Sequence, residues 1–322
     1  MGIKLDYYDK KILFELDKNS RIRISELAKK IKKSKQFVNY RIKKLEETGI
    51  ILGYNTVIDY SKLGYTSIRV YLKFHNITPQ EQQEVENDLI NDGEVWWLVT
   101  LEGMWDVGYA VAVRNILDFH SYWDRIMKKY RKFVSRSSVV VYTNIKQYPK
   151  AYLIGEENTG PGTIVGASTN IVKVDKADLS ILKLLSENAR TPLIEMAATL
   201  KASPQSIRSR IKKLEEKGII QGYRAKIDVS LLGYRYYKAY IDLRDTRRFG
   251  TLEEFCLRHP NILNTNRTIG GKDFEIELQA SSFDEFERIM NSIRERFSGD
   301  IDEYEFVVAR KEMKMKYLPF KT

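Results

Sequence analysis

A segment of about 60 residues occurs twice in this chain, and this repetition limits the folds that the chain can adopt. Its clearest part reads RIKKLEETGI at residues 41–50 and RIKKLEEKGI at residues 210–219. When residue 5 is aligned with residue 174, about 30 of about 61 positions are identical without a gap. This period is longer than that of a solenoid repeat. It therefore indicates a domain, or a pair of domains, present in two copies.

Each copy begins with the pattern of three helices. The apolar residues that share one face of the first and third helices are Ile12, Leu13, Leu16, Val38, Ile42 and Leu45, matched by Ile181, Leu182, Leu185, Ile207, Ile211 and Leu214. Ser34 and Ser203 are predicted to cap the third helix of each copy. Thr191 is predicted to cap the second helix of the second copy, with Pro192 at its first position. A strand or wing is predicted to follow each third helix.

The rest of each copy alternates strand and helix patterns in the order β-α-β-β-α-β, which is ferredoxin-like. The predicted fold class is therefore α+β, with two copies of a winged helix-turn-helix head followed by a ferredoxin-like domain. The predicted domains are residues 1–60 (first head), 61–154 (first ferredoxin-like domain), 155–171 (linker), 172–229 (second head) and 230–322 (second ferredoxin-like domain). The linker is rich in Gly and polar residues and is expected to be a coil.

Three short helices with a tight turn before the third predict a helix-turn-helix, in which the third helix enters the major groove. The residues expected to contact bases are Lys35, Gln36, Asn39, Tyr40 and Lys43 in the first copy, and Gln205, Ser206, Arg208, Ser209 and Lys212 in the second. The residues expected to contact phosphates are Ser34, Arg41, Lys44, Ser203, Arg210 and Lys213. The alternative interpretation is a solvated basic face on a helical core that serves protein contacts.

Charge favours duplex DNA as the partner. The net charge is +11, and about +7 lies in residues 1–65 and about +4 in residues 174–234, so the excess lies within the repeated segments. No apolar run is long enough to predict a membrane span. A single cysteine, Cys256, and the lack of an apolar leader favour a cytoplasmic protein.

The two segments ISELAKKIKKSKQFVNYRIKKLEETGIILGY and IEMAATLKASPQSIRSRIKKLEEKGIIQGY resemble the helix-turn-helix of the Lrp/AsnC (feast/famine) regulators. The β-α-β-β-α-β pattern resembles the ligand-sensing and dimerising domain of the same family. Usual members carry one copy and dimerise. The resemblance therefore implies a transcription regulator in which one chain forms an intramolecular pseudo-dimer, a homo-oligomer, or both.

The resemblance also implies a site for a small effector, often an amino acid, near a Gly-x-x-Asp hairpin. The segments TLEGMWDVGYAV and TIGGKDFEIEL match that hairpin. The residues carried over are Gly103, Asp106, Gly270, Gly271 and Asp273. Glycine amides can bind a carboxylate and an aspartate an ammonium group, although Gly-x-x-Asp is also a serviceable hairpin turn.

An enzyme on the same architecture is the alternative, because the siroheme decarboxylases resemble this family and also occur as tandem copies. Those enzymes carry His- and Arg-rich strands, whereas this chain has only His75, His120 and His259. Cys256 and His259 form a C-x-x-H pair, which is too few ligands for a zinc site. The sequence therefore predicts no catalytic residue, no metal site and no cofactor, and we expect a protein that is not an enzyme.

Overall fold

The computed structural model describes residues 3–160 and 162–318. The first and last residues of the predicted domains (1–2 and 319–322), and Pro161 of the predicted linker, lie outside the described residues. The elements of the first copy are α1 (Tyr7–Lys18), α2 (Ile24–Ile31), α3 (Lys35–Glu47), β1 (Ile51–Ile58), β2 (Thr66–Phe74), α4 (Pro79–Asn91), β3 (Val95–Glu102), β4 (Val107–Val113), α5 (Ile116–Tyr130) and β5 (Val134–Gln147).

The second copy repeats this order of elements. A short strand, β6 (Thr163–Val165), comes before it. The elements of the second copy are α6 (Lys176–Glu187), α7 (Leu193–Thr199), α8 (Pro204–Glu216), β7 (Ile220–Ile227), β8 (Arg235–Leu243), α9 (Phe249–Arg258), β9 (Ile262–Ile269), β10 (Phe274–Ala280), α10 (Phe283–Arg296) and β11 (Ile301–Met315). The predicted α+β class and the β-α-β-β-α-β order are confirmed in both copies.

The helical heads form where the sequence places its apolar faces and caps. All twelve apolar residues predicted to share the inner faces of the first and third helices are buried. Ser34 accepts a hydrogen bond from the amide of Phe37, and Ser203 accepts one from the amide of Ser206, so both predicted caps are confirmed. These contacts fix the first turn of α3 and of α8, the helices predicted to read DNA.

The start of α7 differs from the prediction by one residue. Pro192 occupies the cap position with extended backbone, and the helix begins at Leu193. The hydroxyl of Thr191 donates instead to the carbonyl of Asn188, in the turn after α6. The predicted Thr191 cap is therefore wrong, because this side chain is already committed to the preceding turn.

The two ferredoxin-like units close into one barrel. Their strands run in the order β2-β4-β3-β11-β8-β10-β9-β5, and a further pairing of β5 with β2 completes the ring. The units meet where β3 pairs with β11 and where β5 pairs with β9, both antiparallel. The two copies are thus paired with each other within one chain.

The two heads are joined by a second sheet. Strands β1 and β7, each predicted as a strand or wing, pair antiparallel from Ile51 opposite Ile227 to Ile58 opposite Ile220. Each of these strands also takes a hydrogen bond from the other head, because the amide of Ser20 donates to Tyr223 and that of Ala189 to Tyr54. Consequently, α3 and α8 are fixed relative to each other by main-chain pairing.

The predicted linker is ordered rather than a free coil. Its strand β6 pairs with the end of β5, from Ile145 opposite Val165 to Gln147 opposite Thr163. Beyond β6, the amide of Gly166 donates to the Asp59 carboxylate. Backbone amides near the end of the linker thus donate hydrogen bonds to the first copy. In a solvated coil these amides would bond to water instead. Among the described helices, no segment is long and apolar enough to cross a membrane.

Candidate nucleic-acid interface

The predicted reading residues of both heads lie on exposed helix surface. The predicted contact residues that are exposed are Ser34, Lys35, Gln36, Asn39, Tyr40, Lys43, Lys44, Ser203, Gln205, Ser206, Arg208, Ser209, Lys212 and Lys213. They face outward because Val38, Ile42 and Leu45 fill the opposite face of α3, and their counterparts do so in α8. Tyr40, with 64% of its surface exposed, is the largest of them. An exposed aromatic ring beside Gln and Asn offers both stacking and hydrogen-bonding groups.

Arg41 and Arg210 differ from the prediction. The Arg41 guanidinium lies 2.9 Å from a carboxylate oxygen of Asp6 and 3.1 Å from one of Asp9, and only 22% of its side chain is exposed. Arg210 makes the same pair of contacts with Asp175 and Asp178. These arginines tie the third helix of each head to the start of the first. The sequence predicts that both arginines contact phosphates, but their guanidinium groups are already paired within each head.

The pKa values of these groups follow from the pairing. Burial alone would lower the pKa of Arg41, but the nearby carboxylates of Asp9 and Asp6 outweigh it and raise that pKa. Hydrogen bonds from Arg210 to Asp178 and Asp175 likewise raise the pKa of Arg210. Both arginines remain charged across the physiological pH range. Their contribution is to the stability of each head.

The exposed lysines on the outer face are only weakly held by neighbouring side chains. Lys43 and Lys212 make only long contacts of 3.6 and 3.5 Å with Glu47 and Glu216 one turn on. Exposed pairs of this kind contribute little, roughly 0.3–0.5 kcal/mol each. In the part of the chain that the structure describes, the Lys44 ammonium has no hydrogen-bond or ion-pair partner. These lysines could therefore bind a nearby phosphate with little loss of existing interaction energy.

A basic recess opens beside α3, the predicted reading helix of the first head. It lies between α2 and the start of α3 and has a volume of about 770 Å³. The residues that line it are Ser25, Ala28, Lys29, Lys32, Lys33, Ser34 and Lys35. Apart from Ser34 and Lys35, these residues are not among the predicted DNA contacts. The run KKIKKSK indicates a basic surface here, because it places lysines on both sides of the turn between α2 and α3.

Buried charges anchor the heads to the barrel. Asp17 of α1 is 1% exposed. Its carboxylate accepts hydrogen bonds from the Arg224 guanidinium at 2.7 Å and from the Lys150 amide at 2.8 Å. Burial alone would raise the pKa of Asp17, but Arg224 and Lys150 outweigh it and lower that pKa. One ionised side chain thus links the first head, the second wing strand and the segment after β5.

The two Gly-x-x-Asp segments form the expected hairpin turns, but their aspartates are engaged. One carboxylate oxygen of Asp106 accepts from the Lys73 ammonium and the other from the amide of Phe74, both at 2.7 Å. A carboxylate oxygen of Asp273 accepts from the amide of Leu243 at 2.9 Å. Each aspartate thus secures its hairpin to the neighbouring strand. Asp106 is therefore not open to a ligand ammonium group.

The glycines of these hairpins meet a conformational need. Gly103 and Gly270 have φ values of 111° and 84°, which residues other than glycine rarely adopt. At Gly271, a Cβ atom would lie 2.9 Å from the side chains of Thr268 and Val140. Gly103, Gly270 and Gly271 are nonetheless exposed, so their backbone remains accessible.

The few metal-binding residue types are dispersed. Cys256 is buried in the core, which raises the pKa of its thiol. The His259 ring accepts a hydrogen bond from the amide of Asn261, and burial lowers its pKa. Among the residues that the structure describes, no three His, Cys, Asp or Glu side chains are grouped so as to hold a metal ion.

Comparison with known proteins identifies the heads. A model described as winged helix-turn-helix DNA-binding matches residues 5–51 and again residues 174–221. The proline dehydrogenase transcriptional activator of Rhodobacter capsulatus is 33% identical over 122 residues, which are 36% of this chain and 78% of that protein. The transcriptional regulator LrpA of Pyrococcus abyssi is 52% identical over 61 residues, which are 19% of this chain and 43% of LrpA. The chain belongs to the Lrp/AsnC family.

A solved structure matches this Lrp/AsnC chain over nearly its whole length. It is the siroheme decarboxylase NirDL, with a TM-score of 0.63 and 14% identity over 98% of this chain and 94% of that one. At this identity the likeness concerns the fold alone. The sequence-based prediction that the chain is not an enzyme is nevertheless contradicted, because an enzyme shares its entire tandem architecture.

Proposed function

We propose that this chain is a sequence-specific regulator of transcription that reads duplex DNA with α3 and α8. The observation that supports the proposal most is the repeated recognition surface. Two third helices present exposed polar and basic residues at matching positions, and the β1–β7 sheet holds both in one body. Arg and Lys suit guanine edges, whereas Gln and Asn suit adenine edges. Membership of the Lrp/AsnC family and the names of its relatives support the same function.

The first experiment is selection of bound duplexes from a random DNA library, followed by binding measurements over a salt series. We expect an asymmetric motif in two parts, because the outward residues of α3 and α8 differ. Binding should weaken steeply as salt rises, because counterions are released when lysines neutralise phosphates. A protein that binds no duplex at low salt would refute this function.

We also propose that a small effector acts at the exposed glycine amides of the two hairpins, near Gly103, Gly270 and Gly271. Support comes from the family resemblance and from their accessibility. Asp106 is a weaker part of this proposal, since Lys73 and Phe74 already hold its carboxylate. Thermal unfolding of the full chain with each amino acid at millimolar concentration tests it. A rise in Tm that Asp273→Asn abolishes would support the site, since Asn can still accept the hydrogen bond from Leu243. No rise with any amino acid would exclude amino-acid effectors.

A second candidate function is a tetrapyrrole enzyme, and the whole-chain likeness to NirDL favours it. One solved NirDL structure is a complex with an iron-uroporphyrin III analogue. Titration of this chain with iron-uroporphyrin III, followed by the visible absorption of the tetrapyrrole, tests the candidate directly. A saturable spectral shift at one molecule per chain would support it. Unchanged spectra beside tight, sequence-selective DNA binding would favour the regulator.

A further inference from the structure

The two heads share one backbone design but differ in charge around the turn before the reading helix. Residues 24–35 contain five lysines and one glutamate, whereas the matching residues 193–204 contain one lysine and one glutamate. The turn itself is conserved in shape. Lys32 and Lys201 occupy the same position, with φ values of 55° and 51°. Because the two turns have the same backbone geometry but different charge, comparing the heads isolates the effect of the lysines.

The first head gathers unpaired ammonium groups around the start of its reading helix. Lys29, Lys32 and Lys35 are exposed. Within residues 3–160 and 162–318, the ammonium groups of these three lysines have neither an ion-pair nor a hydrogen-bond partner. Lys33 is held in place, with its Nζ atom 4.5 Å from the centre of the Tyr8 ring. Lys30 is excluded from this group because it pairs with Glu15 at 2.6 Å.

The recess and the helix end add to this charge. The four lysines line the recess of about 770 Å³ described above, together with the cap residue Ser34. Helix α3 begins at Lys35, beside the same lysines, and the helix dipole favours an anion at that end. The phosphodiester backbone of DNA is the anion that suits this surface, because it carries regularly spaced charges along a groove that α3 would enter.

The second head lacks most of these groups. Ala198 and Ala202 stand where the first head has Lys29 and Lys33. Pro204 replaces Lys35 and also removes an amide donor from the first turn of α8. Ile194, with 76% of its surface exposed, replaces Ser25. An alkyl side chain at this place offers nothing to a phosphate.

We propose that the first head supplies the phosphate clamp for the whole chain, whereas the second head contributes base readout with little electrostatic anchoring. This inference rests on the proposed DNA-binding function. It assigns most of the salt-sensitive affinity to residues 24–35. The half-site under α8 would be held chiefly by contacts from residues such as Gln205 and Arg208. Mismatches in that half-site should therefore reduce binding more than mismatches under α3.

The test measures the slope of log affinity against log salt concentration for full-length variants on the selected duplex. Replacing Lys29, Lys32 and Lys35 together with Gln should make this negative slope less steep by about 2–3, since each lost phosphate contact removes about 0.9 from its magnitude. The matched control, Lys201→Gln, should change it by at most about 0.9. Thermal unfolding verifies that both variants fold, as expected for exposed positions.

The reverse substitution strengthens the test. Placing lysines in the second head, as Ala198→Lys with Ala202→Lys, should make the slope steeper by up to about 2 if the shared backbone presents them to phosphates. An unchanged slope in the triple variant, or an equal loss in Lys201→Gln, would overturn the clamp while leaving DNA binding intact. Absence of DNA binding by the unmodified chain would instead overturn the proposed function.

Discussion

At the scale of single residues, the heads separate residues that hold the fold from residues available to a partner. Arg41 and Lys44 are three positions apart on α3, yet Arg41 is locked between Asp6 and Asp9 while the Lys44 side chain is exposed. The sequence contains the signal for this difference. Asp6, Asp9 and Arg41 all recur in the second copy as an intact set. Three charges that recur together indicate mutual contact, and helix periodicity alone cannot show it.

The proposed role of α3 and α8 in reading bases leads to a prediction for Gln36 and Arg208. Replacing either residue with Ala should change which base is preferred at one position of its half-site. The expected cost is about 1–3 kcal/mol on the best sequence if each makes a bidentate base contact. Competition binding against single-base variants of the selected duplex measures it.

Lys44→Ala is the matched control for this prediction, since its side chain is exposed on the flank of the same helix. It should weaken binding to all sequences by a similar factor and make the salt slope less steep by about 1. A change in base preference in Lys44→Ala, or none in Gln36→Ala and Arg208→Ala, would contradict the assignment of roles.

At the scale of elements, helices were predictable and their connections were not. The burial of Val38, Ile42 and Leu45 and the Ser34 cap depend on neighbours within the same helix, so the local sequence determines them. The β1–β7 pairing joins segments about 170 residues apart, and no local pattern specifies a partner at that distance. Likewise, the linker was read as a coil from its composition, whereas hydrogen bonds to β5 and Asp59 order it.

Ordering of the linker leads to a prediction for Gly162. Its φ is +69°, and a Cβ atom there would lie 2.3 Å from the carbonyl oxygen of Gln147. Gly162→Ala should therefore displace β6 and destabilise the chain by about 1–3 kcal/mol. Urea unfolding measures the loss. Gly93→Ala is the control, since a Cβ atom there meets nothing within 4 Å and its φ is not positive. Equal stability of the two variants would show that the linker is not anchored as described.

The Asp17 junction leads to a pH prediction. Because folding lowers the pKa of Asp17 below its usual 3.8, its stabilising effect is present above about pH 4 and is lost as pH falls further. Asp17→Asn should be less stable than the unmodified chain at pH 7, by about 3 kcal/mol for a broken buried pair. The difference should stay constant down to about pH 5 and shrink below pH 4.

Urea unfolding between pH 7 and pH 3 measures this difference. Glu47→Gln is the control, because Glu47 makes only an exposed contact with Lys43. It should follow the unmodified chain at every pH. A difference between Asp17→Asn and the unmodified chain that grows as pH falls would contradict the proposed role of the ion pair.

At the scale of the whole molecule, the barrel interior joins two unlike halves. Along β2, the faces alternate: Ile68 and Val70 pack under the helices of their own unit, whereas Arg69 and Tyr71 point into the barrel. Alternation of apolar and polar residues along this strand accounts for the first face. It could not show that the second face, with its charge, meets the other copy rather than solvent.

The interior charges come from different copies. The Arg69 guanidinium, 3% exposed, donates to Glu277 of the second copy at 2.8 Å, and Lys238 lies 2.6 Å from Glu275. Burial alone would raise the pKa of Glu277, but Arg69 and Lys238 outweigh it and hold that pKa well below its usual value. In the first copy, Ala110 occupies the place opposite Arg69 that Glu277 occupies opposite Lys238. The second copy thus supplies acidic residues to the barrel interior where the first copy has a small residue. The inner faces of the two copies therefore complement each other, whereas two identical faces would leave Arg69 without a carboxylate.

This arrangement leads to a prediction for Arg69 and Glu277. Arg69→Met and Glu277→Met should each destabilise the full chain by about 3–5 kcal/mol, because each leaves a buried charge without its main partner. The double variant should lose much less than the sum of the two. Chemical unfolding of the four proteins measures the coupling. Additive losses would show that the two side chains stabilise the barrel independently.

The β1–β7 sheet has a consequence for the bound state. A regulator assembled from two identical chains looks the same from either end of its operator, so it cannot mark upstream from downstream. Here two different heads are fixed side by side in one molecule. On a bound duplex, their order along the double helix would be readable in only one sense. The complex would therefore have a polarity, and inverting the operator in front of a promoter would present the opposite end of the protein to the transcription machinery.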